Sequence, residues 1–173
     1  MTSIYVDTNV IIARYKPNDP LYQYAEKLLV RDDLSFYISQ LTIVELCAVL
    51  SRIIDEIDVG DQTPVNLDTL ISFIIEDCKL KITAETYSTV MKIAGQEIRI
   101  PVEYYVAYRN AERLKLRTLD LLHLAHVTTL KKAYGIQTFI TGDEELIEKA
   151  EVIKEALNVN MVHPKEASSR FIS

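Results

Sequence analysis

Short runs of strand-forming residues recur along this chain, and each is separated from the next by a stretch with helical patterning. Ile4-Tyr5-Val6 opens the series, and residues 34–39, 80–82, 136–141 and 160–163 continue it. Between them, apolar residues at helical spacing predict helices over 9–15, 21–30, 41–54, 67–77, 85–97, 102–116, 119–134 and 143–157, with Gly135 as the cap after the penultimate one. Strands separated by helices pair in parallel, because the crossover carries the chain back to the same end of the sheet. The pattern therefore predicts an α/β fold whose parallel sheet is covered on both faces. Lys16-Pro17-Asn18-Asp19-Pro20 ends the first helix, and residues 58–64 are the clearest loop. Residues 60–117 hold more helix than simple strand–helix units need, which predicts a helical elaboration of a single domain spanning 1–173.

The first strand stops on a carboxylate, Asp7. Three more acids hold comparable positions. Glu45 falls in the first turns of the helix after the second strand, Asp120 follows Thr118, a candidate helix N-cap, and Asp143 comes just after the run Phe139-Ile140-Thr141. In a parallel sheet, strand C-termini and the helix N-termini that follow them lie along one edge, where ligands bind. Each acid has a purely structural alternative. Asp120 and Asp143 can complement a helix dipole, and Glu45 can close a capping box with Thr42. Together they point to chemistry. Clustered carboxylates raise one another's pKa, and a hard divalent cation removes that penalty. Such a cation suits phosphodiester hydrolysis, because it orients the phosphate, activates water and neutralises the leaving oxygen.

The bulk numbers restrict the alternatives. At 173 residues and 49% hydrophobic, the chain is globular and can bury a sizeable core. No apolar run reaches membrane-spanning length, and the N-terminus lacks the basic and apolar regions of a secretory signal. Cys47 and Cys78 sit in apolar stretches without a CxxC pattern. They read as core thiols in a reducing cytoplasm. A net charge of −6 argues against a nucleic-acid coating protein. It leaves room for an enzyme whose acids are neutralised by a metal. A phosphatase of the haloacid dehalogenase type needs a second Asp where this chain has Asn9, and a receiver domain needs a lysine that Thr141-Gly142-Asp143 does not offer. A flap-type DNA nuclease would carry more acids and a longer helical arch.

The ordered set of motifs resembles the PIN domain, most closely the VapC-like ribonucleases of toxin–antitoxin systems. Ile4-Tyr5-Val6-Asp7-Thr8-Asn9-Val10 is similar to that family's first motif, and Thr42-Ile43-Val44-Glu45-Leu46 to its second. Residues 118–125, Thr118-Leu119-Asp120-Leu121-Leu122-His123-Leu124-Ala125, are similar to the third, and Phe139-Ile140-Thr141-Gly142-Asp143 to the fourth. The resemblance implies a three-layer α/β/α sandwich with a central, mostly parallel sheet of four to five strands. It implies an endoribonuclease dependent on Mg²⁺ or Mn²⁺, with Asp7, Glu45, Asp120 and Asp143 as metal-binding and catalytic acids. Thr8, Asn9 and Thr141 would be supporting polar groups. Water would attack in line and leave 5′-phosphate and 3′-hydroxyl ends. A homodimer and a small antitoxin partner are implied as well. Alternatives within the family are a nuclease of RNA processing without an antitoxin, and a non-catalytic interaction module. The chain is longer than the common VapC form, with the extra residues mainly in 60–117.

Arg109, Arg113 and Arg117 fall on an i, i+4, i+8 stripe that runs into the third motif. The stripe reads first as a solvated helix face paired with acids such as Glu112, and second as RNA phosphate contacts. His123 and His126 read as satisfied structural histidines rather than ligands. Tyr104, Tyr105 and Tyr108 read as a packing or dimer surface before they read as base-stacking groups.

Overall fold

A computed structural model describes residues 2–60, 66–83 and 87–170 of the protein. In chain order its strands are β1 (Thr2–Val6), β2 (Leu34–Ser39), β3 (Lys81–Thr83), β4 (Ser88–Ile93), β5 (Gln96–Pro101), β6 (Thr138–Ile140) and β7 (Asn160–Val162). Five of them form one sheet in the order β3-β2-β1-β6-β7, with β7, the last strand expected from the sequence, at one edge. Every neighbouring pair is parallel. β1 is central, with β2 on one side and β6 on the other. The chain that leaves β1 covers one face of the sheet and the chain that leaves β6 covers the other, which opens a crevice beyond the C-terminal ends of these two strands.

Side chains alternate across the sheet, so β1 supplies both faces. Ile4 and Val6 join one core with Phe36 and Ile38. That face is covered by α1 (Thr8–Ala13), α2 (Tyr22–Leu29), α3 (Gln40–Ile53) and α4 (Leu67–Asp77), through Val10, Leu28, Leu46, Leu50 and Leu70. Tyr5 points the other way and joins a second core with Phe139. α5 (Val102–Leu114), α6 (Thr118–Tyr134), α7 (Glu144–Glu148) and α8 (Ala150–Leu157) cover it through Leu114, Leu124, Leu146 and Ile153. Each fully buried aliphatic side chain contributes about 1.5–3 kcal/mol. A last helix, α9 (Pro164–Arg170), returns to the first core through Ala167. The result is the α/β/α sandwich with a parallel sheet that the motifs imply.

The largest departure from expectation lies at 88–101. The expected helix over 85–97 is an antiparallel hairpin, β4 with β5, from its first described residues onward; residues 84–86 lie outside the described part of the chain. Ala94 and Gly95 form its two-residue turn, both with positive φ (50° and 81°). That twist matches the right-handed twist of the flanking strands. The stretch 60–117 is therefore not wholly helical, and the loop expected over 58–64 is described only to Gly60.

Smaller corrections concern helix ends and burial. Apolar residues lie nearly all round the stretch 41–54, which reads as a buried helix, yet α3 is not buried all round: Val44 is 66% exposed, and Thr42, Leu46 and Leu50 form its inward stripe. Arg117, not Thr118, is the N-cap residue of α6, and its side chain makes no cap bond. Gly135 caps the other end with φ 68°, as its sequence position suggests. The single helix expected over 143–157 is two, α7 and α8, meeting at Lys149. Lys149 Nζ is held there by Glu145 and by the carbonyl of Lys115.

Candidate metal centre

The C-terminal end of β1 delivers Asp7 into the crevice. Asp7 is the N-cap residue of α1 but makes no side-chain cap bond, so its carboxylate is free for other partners. One oxygen, Oδ2, accepts from Thr141 Oγ1 at 2.6 Å and Asn9 Nδ2 at 2.8 Å. Asn9 also reaches Thr141 Oγ1 at 3.2 Å and accepts from the Gly142 N–H at 3.1 Å. The ends of β1 and β6 are thereby tied together around one buried carboxylate. Burial pushes the Asp7 carboxyl above its ordinary value, and the bond from Thr141 opposes this only in part.

Glu45 arrives from α3. The capping box at this helix is closed by Ser39 and Thr42, each side chain accepting from the other's backbone N–H. Glu45 takes no part in it and projects into the cleft. Its Oε2 accepts from Thr8 Oγ1 and lies 3.0 Å from His123 Nε2. Burial raises the Glu45 carboxyl, but the bonds from His123 and Thr8 outweigh burial and hold it below its ordinary value.

Asp120 stands in the first turn of α6. Burial first, and then the charges of Asp143 and Asp7, push its carboxyl up to about 6. Asp143 is the N-cap of α7, and its Oδ1 accepts from the Glu145 and Leu146 N–H groups at 2.8 and 3.3 Å. Asp143 is thus an N-cap, through one oxygen, where its sequence position suggested an acid complementing the helix dipole.

All four acids line one cleft of about 440 Å³, together with Thr8, Asn9, Lys16, Asp19 and Arg117. Two of the acids, Asp7 and Glu45, form a tight group with the buried His123 behind the cleft, and the ligand atoms of these three lie within 4.8 Å of one another. Asp120 and Asp143 border the same space outside that group. The donor set suits a hard cation: mostly carboxylate oxygens, crowded and buried enough to push the Asp120 carboxyl up to about 6. His123 is the residue that sequence reasoning left in the core. It is buried, and it also touches Glu45. The available signal was its spacing of three from Asp120 on one helix face.

The arginine stripe is broken. α5 ends at Leu114, and Lys115 takes a left-handed conformation, so Arg117 leaves the line of Arg109 and Arg113. Arg117 lines the cleft, whereas Arg113 pairs with Glu155 at 3.1 Å on the surface. Tyr104 and Tyr108 are exposed on α5, away from the residues that line the cleft. Cys47 and Cys78 are free thiols, as expected.

The fold and the cleft define an α/β/α protein with clustered acids at the switch point of a parallel sheet. Residues 4–152 match the PIN domain, and the chain belongs to that family. Among solved structures, it is similar to a chain in the crystal structure of VapBC2 from Rickettsia felis bound to a DNA fragment from their promoter. The TM-score is 0.53 at 15% identity, over 94% of this chain and 98% of that one. At that identity the likeness is one of fold, and the two chains are alike in extent. Among curated proteins, none matches. No helix among the described residues is long and apolar enough to cross a membrane.

Proposed function

We propose that the protein is a metal-dependent endoribonuclease, and that Asp7, Glu45, Asp120 and Asp143 hold Mg²⁺ or Mn²⁺ in the cleft. The observation that carries this reading is the convergence of four acids from four separate elements on one cleft, with the Asp120 carboxyl pushed up to about 6 by burial and by its acidic neighbours. Perturbed carboxyls cluster at functional sites, and this cleft gathers four acids. When bound, the cation would supply charge neutralisation, phosphate orientation and activation of water. The chain's own residues do the rest. Thr8 and His123 fix Glu45, while Thr141 and Asn9 fix Asp7. Arg117, exposed at the cleft wall, is placed to hold a substrate phosphate.

RNA is the substrate we favour, and a VapC-type toxin with a small antitoxin partner is the biological role, acting as a homodimer. Membership of the PIN family and the likeness to a chain of VapBC2 support that choice. Fragments of single-stranded RNA cut in Mn²⁺ should carry 5′-phosphate and 3′-hydroxyl ends. Cyclic 2′,3′-phosphate ends would mean that the ribose hydroxyl, not water, is the nucleophile, and would contradict the proposal. For the toxin role, growth arrest on expression should be relieved by co-expressing a small protein encoded beside this one. Growth unaffected by expression would argue for a different role.

A further inference from the structure

His123 joins the interior to the cleft, and its two ring nitrogens have different partners. Nε2 lies 3.0 Å from Glu45 Oε2, and Nδ1 lies 3.1 Å from the Tyr5 hydroxyl. An ionised carboxylate only accepts, so Nε2 carries the proton of that bond. On the other side, the Tyr5 hydroxyl is 2.7 Å from Ser39 Oγ and 3.0 Å from Thr42 Oγ1. Each of those two hydroxyls already accepts a backbone N–H of the α3 capping box, Ser39 Oγ from Thr42 and Thr42 Oγ1 from Ser39. Ser39 Oγ and Thr42 Oγ1 also lie 3.4 Å from each other, but the Tyr5 oxygen is closer to both, so their own protons go to its two lone pairs. The Tyr5 proton then goes to His123 Nδ1. Every proton in this chain has an acceptor, and the donors all run one way, from the capping box through Tyr5 and His123 to Glu45.

We infer that His123 is the positioning residue of the metal centre: Tyr5 selects its Nε2–H tautomer, and that N–H, with Thr8, fixes Glu45 through Oε2 and leaves Oε1 for a cation. Both of these bonds to Glu45 go to Oε2. The inference rests on the metal-binding reading of the cleft. Its rival is direct ligation by His123, which the short distances within the Asp7–Glu45–His123 group would also allow. Ligation through Nε2 needs a lone pair there, and so the opposite tautomer, with Nδ1–H donating to Tyr5. It would also set that lone pair against the lone pairs of Glu45 Oε2 when no cation is present. Outer partners of metal ligands act in this way, fixing orientation without touching the ion.

The two roles differ in a directly measurable property. Long-range ¹H–¹⁵N spectra of the full-length protein, recorded in chelator and in saturating Mg²⁺, should give the Nε2–H tautomer for His123 in both. Calorimetric titration with Mg²⁺ should show His123→Ala weakening binding by about 10–100-fold. His123→Gln, whose amide can donate at the same place, should stay within a few-fold of the parent. An Nδ1–H tautomer, or an Nε2 resonance that moves strongly on adding Mg²⁺, would overturn the inference. So would His123→Ala binding Mg²⁺ as the parent does. If the alanine variant fails to fold, the wild-type spectra still decide. RNA cleavage with the wrong tautomer removes this inference alone, whereas a wild-type protein that binds no Mg²⁺ removes the metal centre and the inference with it.

Discussion

Asp120 pays for its place in the cleft with a raised carboxyl pKa, about 6 against an ordinary 3.8. Between roughly pH 4 and 6 the folded protein keeps a proton there that the unfolded chain has released. Stability from this group is therefore full below about pH 4, falls as pH rises through that window and is lost above about 6. Asp120→Asn carries no charge to bury or repel. In chelator at pH 7 the variant should melt at a higher temperature than the parent, and its melting temperature should change less between pH 4 and 6. Its RNA cleavage should fall at least about 100-fold, since charge stabilisation at a reacting phosphate is worth that much. A variant both less stable and fully active would mean that Asp120 is an ordinary helix-dipole acid. The four acids were readable from sequence because each follows a strand or opens a helix, and a parallel sheet sends such positions to one edge. The contact of His123 with Glu45 was not. It depends on how α3 and α6 lie across the sheet, which no local pattern records.

At the scale of elements, the short N-terminal turn of α3 links stability to the site. Ser39 caps the helix, is 1% exposed and bonds Tyr5. Ser39→Ala should cost about 1 kcal/mol through the cap alone, read as a lower urea midpoint with an unchanged slope. It should also disturb Glu45 through Tyr5 and His123, so cleavage should fall while the fold persists. The main strands and helices followed from periodicity because their inward faces are continuous. The β4–β5 hairpin did not, since it lies outside both cores and both strands are largely exposed. With no buried face to impose a period, Val90, Met91 and Ile93 fit a helical template as well as a strand. The decisive local signal was the Ala94-Gly95 turn, flanked by β-branched residues on each side. The split between α7 and α8 has no comparable mark in the sequence.

For the whole molecule, the four acids that line the cleft are part of a net charge of −6. A cation bound by the folded state alone stabilises it by mass action. It competes with protons for the same carboxylates, so its effect must depend on pH. Millimolar Mg²⁺ should raise the melting temperature clearly at pH 7 and hardly at all at pH 4, where the Asp120 carboxyl is protonated. An equal rise at both pH values would point to nonspecific ionic effects. PIN family membership and the parallel five-stranded sheet fix where such a site can lie. The residues that fill it are this chain's own.

The most direct test of the central claim is cleavage of single-stranded RNA by the purified protein, its Asp7→Asn variant and its Asp120→Asn variant, each with Mn²⁺ or Mg²⁺ and again in excess chelator. The account predicts cleavage by the parent only when the cation is present, and loss of nearly all of it in both variants although they remain folded. Cleavage that persists in chelator, or variants that cut as fast as the parent, would contradict a metal centre built on these acids.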